Sequence, residues 1–394
     1  MKVAISGAGI AGAALAYWLC RCGHEITLIE KAPKLRTGGY VIDFWGVGYT
    51  VAERMGILPQ LHEAGYQVQE VRLVDDRGRT TGGFSTKAVA GAANGRFTSL
   101  PRGDLAAIIY RTIEGRVEPI FDNSISSIDE RGNGLLVHFD KGSPREYDLV
   151  IGADGLHSIV RKLAFGPQSQ FERQLGYLVA AFAAEGYRPR DELVYVQYSI
   201  PGRQAARFAL RGDQTMFLFA FRSDRLSGPE PRDQAERKML LHSIFADAGW
   251  ECPQILEQMD RAADLYFDRV AQIRMDAWSK GRVMLIGDAA ACVSLMAGEG
   301  AGLAMAEAYV LAGELHRAGD DYREAFRRHE QRLRPLLEGK QRLARRFARM
   351  FVPKTRLGIW IRDQATRLLA VPPVARYLFR RELMDGSDLP NYEI

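Results

Sequence analysis

The hydrophobic pattern of the first thirty residues reads as one β-α-β unit. Lys2–Ser6 is a short apolar strand, residues 7–12 form a glycine turn, residues 13–22 suit a helix, and residues 25–30 (EITLIE) make a second strand ending in an acid. The helix is dense in Ala and Leu, as close packing on a sheet requires. A glycine-rich loop at Gly38-Gly39 follows, then an extended piece over 40–44 and a helix near 48–55. Residues 71–75 suit a strand, 102–111 a helix opening after Pro101, and 135–139 and 149–152 two more strands. The stretch 88–95 (AVAGAANG) has no periodicity and reads as a mobile loop.

Between about 170 and 270 the texture changes. Residues 193–200 and 216–221 look like longer strands with little helix between them, and turns are supplied by Pro201-Gly202 and the SGPEP stretch from 227. This is the composition of an antiparallel sheet. Residues 283–287 return to a buried parallel strand, and 300–315 form a helix rich in small residues. Beyond about 320 the chain is charged and helical, with Leu333, Leu336, Leu337, Leu343, Phe347, Met350 and Phe351 recurring at three- and four-residue steps.

Composition narrows the class. The 394 residues suggest two to three units, and 47% apolar with 26% charged residues excludes a disordered, collagen-like or disulfide-rich product. The most apolar helical stretch, 301–312, is short and interrupted by Glu307, and the start of the chain has no signal-peptide pattern. A cytoplasmic protein with four free thiols and no metal site is expected, since Cys20, Cys22, Cys252 and Cys292 make no framework and seven histidines show no ligand spacing. The net charge of +5 is local in origin. Residues 321–381 hold 17 Lys/Arg against 5 Asp/Glu, so the rest of the chain is net acidic.

The glycine turn carries the first chemistry. In Gly7-Ala8-Gly9-Ile10-Ala11-Gly12 the first glycine permits the tight turn, the second lets the main chain approach a pyrophosphate, and the third lets the helix lie close to the sheet. The bare helix N-terminus that follows supplies N–H donors for the phosphates, and Ala11 is counted with the three glycines among the cofactor-binding residues. Glu30, followed by Lys31, stands 18 residues past Gly12, where an acid binds a ribose hydroxyl pair. This motif implies a dinucleotide and leaves FAD and NAD(P) both open.

Two distant segments resolve the choice by resemblance. The run Ile151-Gly-Ala-Asp154-Gly155-Leu-His-Ser158-Ile-Val-Arg161 resembles the DG signature of the para-hydroxybenzoate hydroxylase family of flavoprotein monooxygenases, and Leu285-Ile-Gly287-Asp288-Ala-Ala resembles its GD signature. The stretch GGYVIDFWG followed by AERMGIL is similar to the branch containing tetracycline-inactivating and natural-product tailoring monooxygenases. The resemblance implies an α/β fold: a Rossmann-like FAD-binding domain of the glutathione-reductase type, an inserted antiparallel-sheet substrate domain and a long C-terminal helix. The FAD domain would take 1–68, 100–168 and 270–319, the substrate domain 69–99 and 169–269, and a helical segment over 320–394 would brace both.

The resemblance also implies the site. Asp288 would bind the ribityl or ribose-phosphate region of FAD, with Gly287 beside it. Asp154 would contact the flavin cofactor and the docking nicotinamide nucleotide. Arg102 would open a helix against FAD, Arg36 would contact NADPH, and Asp43 would lie near the flavin. NADPH or NADH would reduce FAD, O2 would add to give a C4a-hydroperoxide, and an aromatic or polycyclic small molecule would be hydroxylated with no catalytic nucleophile. Tyr198, Phe219 and Phe221 could wall the substrate pocket, although core packing is the commoner role for such residues.

The chain departs from the family pattern after Asp288. Where the family has a histidine, a proline pair and Gly-Gln-Gly-x-Asn, this sequence has Ala291, Ser294-Leu295 and Gly298-Glu299-Gly300-Ala301-Gly302. The glycines keep the backbone turn beside the flavin. A carboxylate at Glu299 would lower the flavin potential if it faced the ring, whereas a solvent-facing or helix-capping carboxylate would not. The basic C-terminal segment reads as a helix packed on both domains with its arginine stems along it. A membrane contact through Phe351 and Trp360 is the minor alternative; no nucleic-acid module accompanies the charge, and a monomer is expected. A reductase, a halogenase or a non-oxygenating flavin-binding protein are the rivals; the halogenase pairing of tryptophans two apart is missing from positions 18, 45, 250, 278 and 360.

Overall fold

A computed structural model describes residues 1–35, 40–87, 95–226, 228, 230–294, 298–319, 321–369 and 389–394. The short apolar runs become a six-stranded sheet in the order Ser279–Lys280, Val283–Leu285, Leu149–Gly152, Lys2–Ser6, Glu25–Ile29 and Glu118–Ile120. Every pairing is parallel except at the Ser279–Lys280 edge. Parallel strands need cover on both faces, which is why these read as unbroken apolar runs. Helices Ile10–Arg21, Arg102–Arg111 and Gly300–Ala318 pack into the same core, as does a three-stranded antiparallel meander of Ile125–Arg131, Gly134–Phe139 and Arg145–Tyr147.

A second, seven-stranded sheet runs Tyr266–Ile273, Glu172–Glu185, Gln214–Arg222, Arg203–Ala209, Val194–Ile200, Glu70–Val74 and Thr80–Ser85. It is antiparallel apart from the pairing of Val194–Ile200 with Glu70–Val74. Among the described residues no helix separates Val194–Ile200 from Gln214–Arg222, as the sequence led one to expect; beyond them Gln234–Phe245 and Cys252–Arg261, where the sequence pattern marked no element, are helices covering one face of this sheet. Their signals are local: the N-cap Asp233 accepts the Glu236 N–H while Glu236 reaches back to the N–H of Arg232, one residue before the cap, a variant of the capping box, and Pro253 stands in the first turn of the next helix. Tyr198, Phe219 and Phe221 lie in the core beneath these helices. They are packing residues rather than pocket walls. By strand alternation, Tyr195, Ala206 and Leu218 share the opposite face.

An antiparallel ribbon of Val41–Trp45 with Phe97–Pro101 adjoins the first sheet. The helix Tyr322–Phe351 continues through Pro335 and touches both cores. Leu333 and Leu337 belong to the first, while Ala348 and Val352 pack with Val179, Ala220 and Val270 on the second sheet. The stripe read from sequence was out of phase at its end, since Phe347 and Met350 are 49% and 54% exposed. The inner face instead carries polar Lys340 and Gln341, both buried. After a break at Pro353 comes the helix Arg356–Leu368.

Residues 389–394 return to the first core. Arg54 donates to the carbonyls of Leu389 and Pro390, Arg317 donates to that of Asn391, and the Tyr392 hydroxyl reaches Glu314 at 2.6 Å. A Cβ on Gly313 would overlap the Tyr392 ring, so the absence of a side chain there makes room for the tail. None of the helices among the described residues is long and apolar enough to cross a membrane.

Candidate functional site

Three turns remote in sequence meet at the C-terminal ends of three adjacent parallel strands, the usual ligand position in such sheets. A Cβ on Gly7 would stand 2.5 Å from the Ala153 oxygen and 2.9 Å from the Asp154 Cα, so the DG backbone lies directly on the glycine turn. A Cβ on Gly12 would overlap the Gly7 oxygen. A Cβ on Gly287, whose φ is +62°, would meet the Ala11 Cβ at 3.2 Å. Backbone packing this close admits only small residues.

The cradle these turns make suits a dinucleotide. Gly9 is the N-cap of the helix Ile10–Arg21 with no side chain capping it, and nothing lies within 4 Å of the position a Cβ would take. The first-turn N–H groups therefore face open space with a positive dipole end, which fits a pyrophosphate. Glu30 is held against the turn by the N–H groups of Ala8 and Ala32, each at 2.9 Å, and its remaining lone pairs fit a ribose diol. Lys31 is exposed. Arg36, with Gly38-Gly39, lies outside the described residues, as do most of the loop expected at 88–95 and part of the SGPEP turn.

The Asp154 carboxylate is engaged inside the protein. It receives the Ser6 and Ser158 hydroxyls and the N–H groups of Ile159 (2.8 Å) and Val160 (3.2 Å), capping the helix Ile159–Ala164. Burial pushes its pKa above the ordinary carboxylate value, against the pull of these donors. It fixes the DG loop on Gly7. Arg161, fully buried, donates to the Ala289 oxygen at 2.9 Å and the Leu156 oxygen at 2.6 Å and so ties the DG loop to the GD helix.

Asp288 opens the short helix Asp288–Ala291, and a Cβ on Gly300 would stand 4.0 Å from its Oδ1. The preceding Gly287 N–H donates to Glu307 at 2.8 Å. Glu307 is 2% exposed, and burial raises its pKa to about 8. His329 of the long helix hydrogen-bonds the Glu307 carbonyl, and burial lowers its pKa to about 4.

Asp43 lies on the ribbon opposite Ser99, whose hydroxyl donates to it at 2.5 Å. Its carboxylate is reachable by solvent yet surrounded by protein, which raises its pKa, and Tyr195 of the second sheet faces it. Asp43 and Tyr195 thus come near one another where the ribbon meets the second sheet, which marks a candidate cleft. Tyr40 and Tyr266, with ring centres 5.8 Å apart, and Arg102, whose N–H donates to the Tyr40 carbonyl, border the same region.

Glu299 neither lies free in solvent nor caps the helix Gly300–Ala318 with its side chain. It is partly buried in an ion pair with Lys340 at 2.7 Å and accepts the Trp45 indole N–H at 3.1 Å. Gly298 stands beside Trp45, and Ala301 is half-buried in the first turn of Gly300–Ala318. At Gly302 the replacement of the family asparagine has a steric reason: a Cβ there would meet the Gly48 Cα at 3.2 Å, where two helices touch through their backbones.

Sequence reasoning did not find Arg161 as a tie, Ser99, Tyr195, Glu307 as the anchor of Gly287, or Lys340. Arg161 had a local signal, as the last residue of the DG run, and one of its bonds, to Leu156, is local. Ser99, Glu307 and Lys340 reach partners 20 or more residues away.

Comparison with known proteins agrees with this geometry. A family model described as FAD binding domain matches residues 1–321. A flavin-dependent monooxygenase from Legionella longbeachae is 33% identical over 404 aligned positions, covering 100% of this chain and 98% of the relative. Among solved structures, tetracycline destructase Tet(55) superposes with a TM-score of 0.84 at 30% identity over 99% of this chain and 98% of its own. Tet(51) gives 0.79 at 32% identity over 99% of each chain. The chain belongs to the FAD binding domain family and, as the resemblance implied, to the flavin-dependent monooxygenases within it.

Proposed function

We propose that the protein uses NADPH or NADH and O2 to hydroxylate an aromatic or polycyclic small molecule held between the ribbon and the second sheet. The observation that carries this reading is the convergence of three turns on an uncapped helix N-terminus beside a candidate cleft. Bound FAD supplies the redox chemistry, passing reducing equivalents from the nicotinamide nucleotide to O2. Gly9 and the first-turn N–H groups would hold its pyrophosphate, Glu30 its ribose, and Asp288 with Arg102 its ribityl-phosphate region. Asp43, set by Ser99, would hold or accept a proton at a substrate hydroxyl, and the sheet face carrying Tyr195, Ala206 and Leu218 would exclude water above it. Full-length similarity to two tetracycline destructases supports a fused-ring substrate.

The test is a visible spectrum of protein reconstituted with FAD, followed anaerobically after adding NADPH or NADH. A bound-flavin band near ~450 nm that bleaches, faster with an aromatic ligand such as tetracycline, is expected. Failure to bind FAD overturns the reading. Flavin that binds but accepts electrons from neither nucleotide makes this a flavin-binding protein instead.

A further inference from the structure

Two consecutive residues of the long helix hold Cys292 and Glu299, which follow the GD turn. Gln341 donates to the Cys292 carbonyl at 3.1 Å and to the Ile273 carbonyl, at the end of a second-sheet strand, at 2.8 Å. Lys340 closes on Glu299. The side chains of Lys340 and Glu299 are 9% and 14% exposed, so the pair is largely out of water and weakly screened.

The position of this pair gives it a role beyond bracing. Glu299 immediately precedes the helix Gly300–Ala318, whose Gly300 lies beside Asp288 and whose Ala304 lies 3.6 Å from a Cβ on Gly287. On its other side Glu299 touches Trp45, two residues along the ribbon from Asp43. The carboxylate therefore stands between the dinucleotide cradle and the candidate cleft. A net charge there is felt by any cofactor that gains negative charge on reduction.

We infer that Lys340 is a positioning and charge-balancing residue for the flavin: by neutralising Glu299 it keeps this point between cradle and cleft electrically neutral, and so sets the potential at which the bound flavin is reduced. This rests on the proposed FAD reading. Lys340→Met leaves a carboxylate whose negative charge opposes that of the reduced cofactor. Glu299→Gln leaves an ammonium that favours it. The double variant is neutral again.

The experiment measures the two-electron potential of the FAD-loaded wild type, K340M, E299Q and E299Q/K340M by equilibration with reference dyes. K340M is expected to shift the reduction equilibrium at least tenfold toward the oxidised form, about 30 mV. E299Q shifts it in the opposite direction, and the double variant returns close to wild type. A pair that serves packing alone would lower the unfolding midpoint of both single variants and leave the potentials in place, which overturns the inference. Should K340M fail to fold, E299Q decides, and a wild-type potential in E299Q is equally fatal. Lys340→Arg, which keeps the charge, is expected to retain the wild-type potential. A wild type that never binds FAD overturns the proposed function as well, and is thereby told apart from unchanged potentials in a loaded protein.

Discussion

Gly9→Ala separates binding from folding. Gly9 has φ −74° and ψ −171°, extended backbone that alanine adopts freely, and its new methyl would meet nothing within 4 Å. Two small terms act on stability: alanine restricts the unfolded chain, worth about 0.4–1 kcal/mol in favour, and is a poorer N-cap than glycine, costing a similar amount. The unfolding free energy of the FAD-free protein should therefore stay within about 1 kcal/mol of wild type. The methyl occupies the approach to the helix N–H groups. Losing one or two charge-assisted hydrogen bonds, at about 1.5–3 kcal/mol each, weakens FAD binding roughly a hundredfold. Gly12→Ala is the contrast, because its Cβ overlaps the Gly7 oxygen and the turn must open. It should lose both stability, by about 1–3 kcal/mol, and FAD affinity. Urea unfolding of the FAD-free proteins and fluorescence titration with FAD measure the two quantities. A Gly9→Ala protein that binds FAD like wild type would refute the cradle, and one as destabilised as Gly12→Ala would refute the turn geometry.

Restoring the family asparagine through Gly302→Asn should destabilise the protein by about 1–3 kcal/mol, read by urea unfolding, because the side chain meets the Gly48 backbone. Tyr392→Ala should cost about 3–5 kcal/mol in the same assay, since it empties the space over Gly313 and strips a hydrogen bond from Glu314. The buried pair at the GD turn gives opposing pH slopes. The depressed pKa of His329, about 4 against about 6.5 unfolded, makes stability fall as pH drops through that window. The raised pKa of Glu307, about 8 against about 4.5 unfolded, makes stability fall as pH rises from 4.5 to 8. The two offset one another below pH 6.5, leaving a decline of about 2 kcal/mol between 6.5 and 8 in the FAD-free protein, which Glu307→Gln should abolish. An equal decline in that variant would assign it elsewhere.

The glycine turn, Glu30 and the two later motifs were legible because each is defined by backbone needs a few residues long. Only glycine serves where Gly7 meets Ala153 or Gly12 meets Gly7, so the sequence has to show it. The fate of the carboxylates was not legible. Asp154 spends its oxygens on the helix that follows it, and Glu299 finds Lys340 across 41 residues, a pairing without local signature. The same pair explains the misphased stripe. Where a helix crosses a junction between two cores, its inner face carries Lys340 and Gln341, so counting apolar residues selects Phe347 and Met350 on the outside. In the second sheet the strands were plain, but Gln234–Phe245 mixes exposed Met239 with buried Leu241 and Phe245, which blurs its helical stripe.

The return of residues 389–394 to the helix Gly300–Ala318 bears on how the protein is made. All strands of the second sheet lie between residues 70 and 273, so that sheet can be completed while the chain is still being synthesised. The first sheet cannot: Lys2–Ser6 precedes the second sheet in sequence while Val283–Leu285, two strands away, follows it, and the helix Gly300–Ala318 gains its Tyr392 cover later still. The half that begins first is thus completed last. A complete cradle needs Gly287, which follows every strand of the second sheet, so cells short of FAD should accumulate a protein with a finished second sheet and a protease-sensitive nucleotide-binding half.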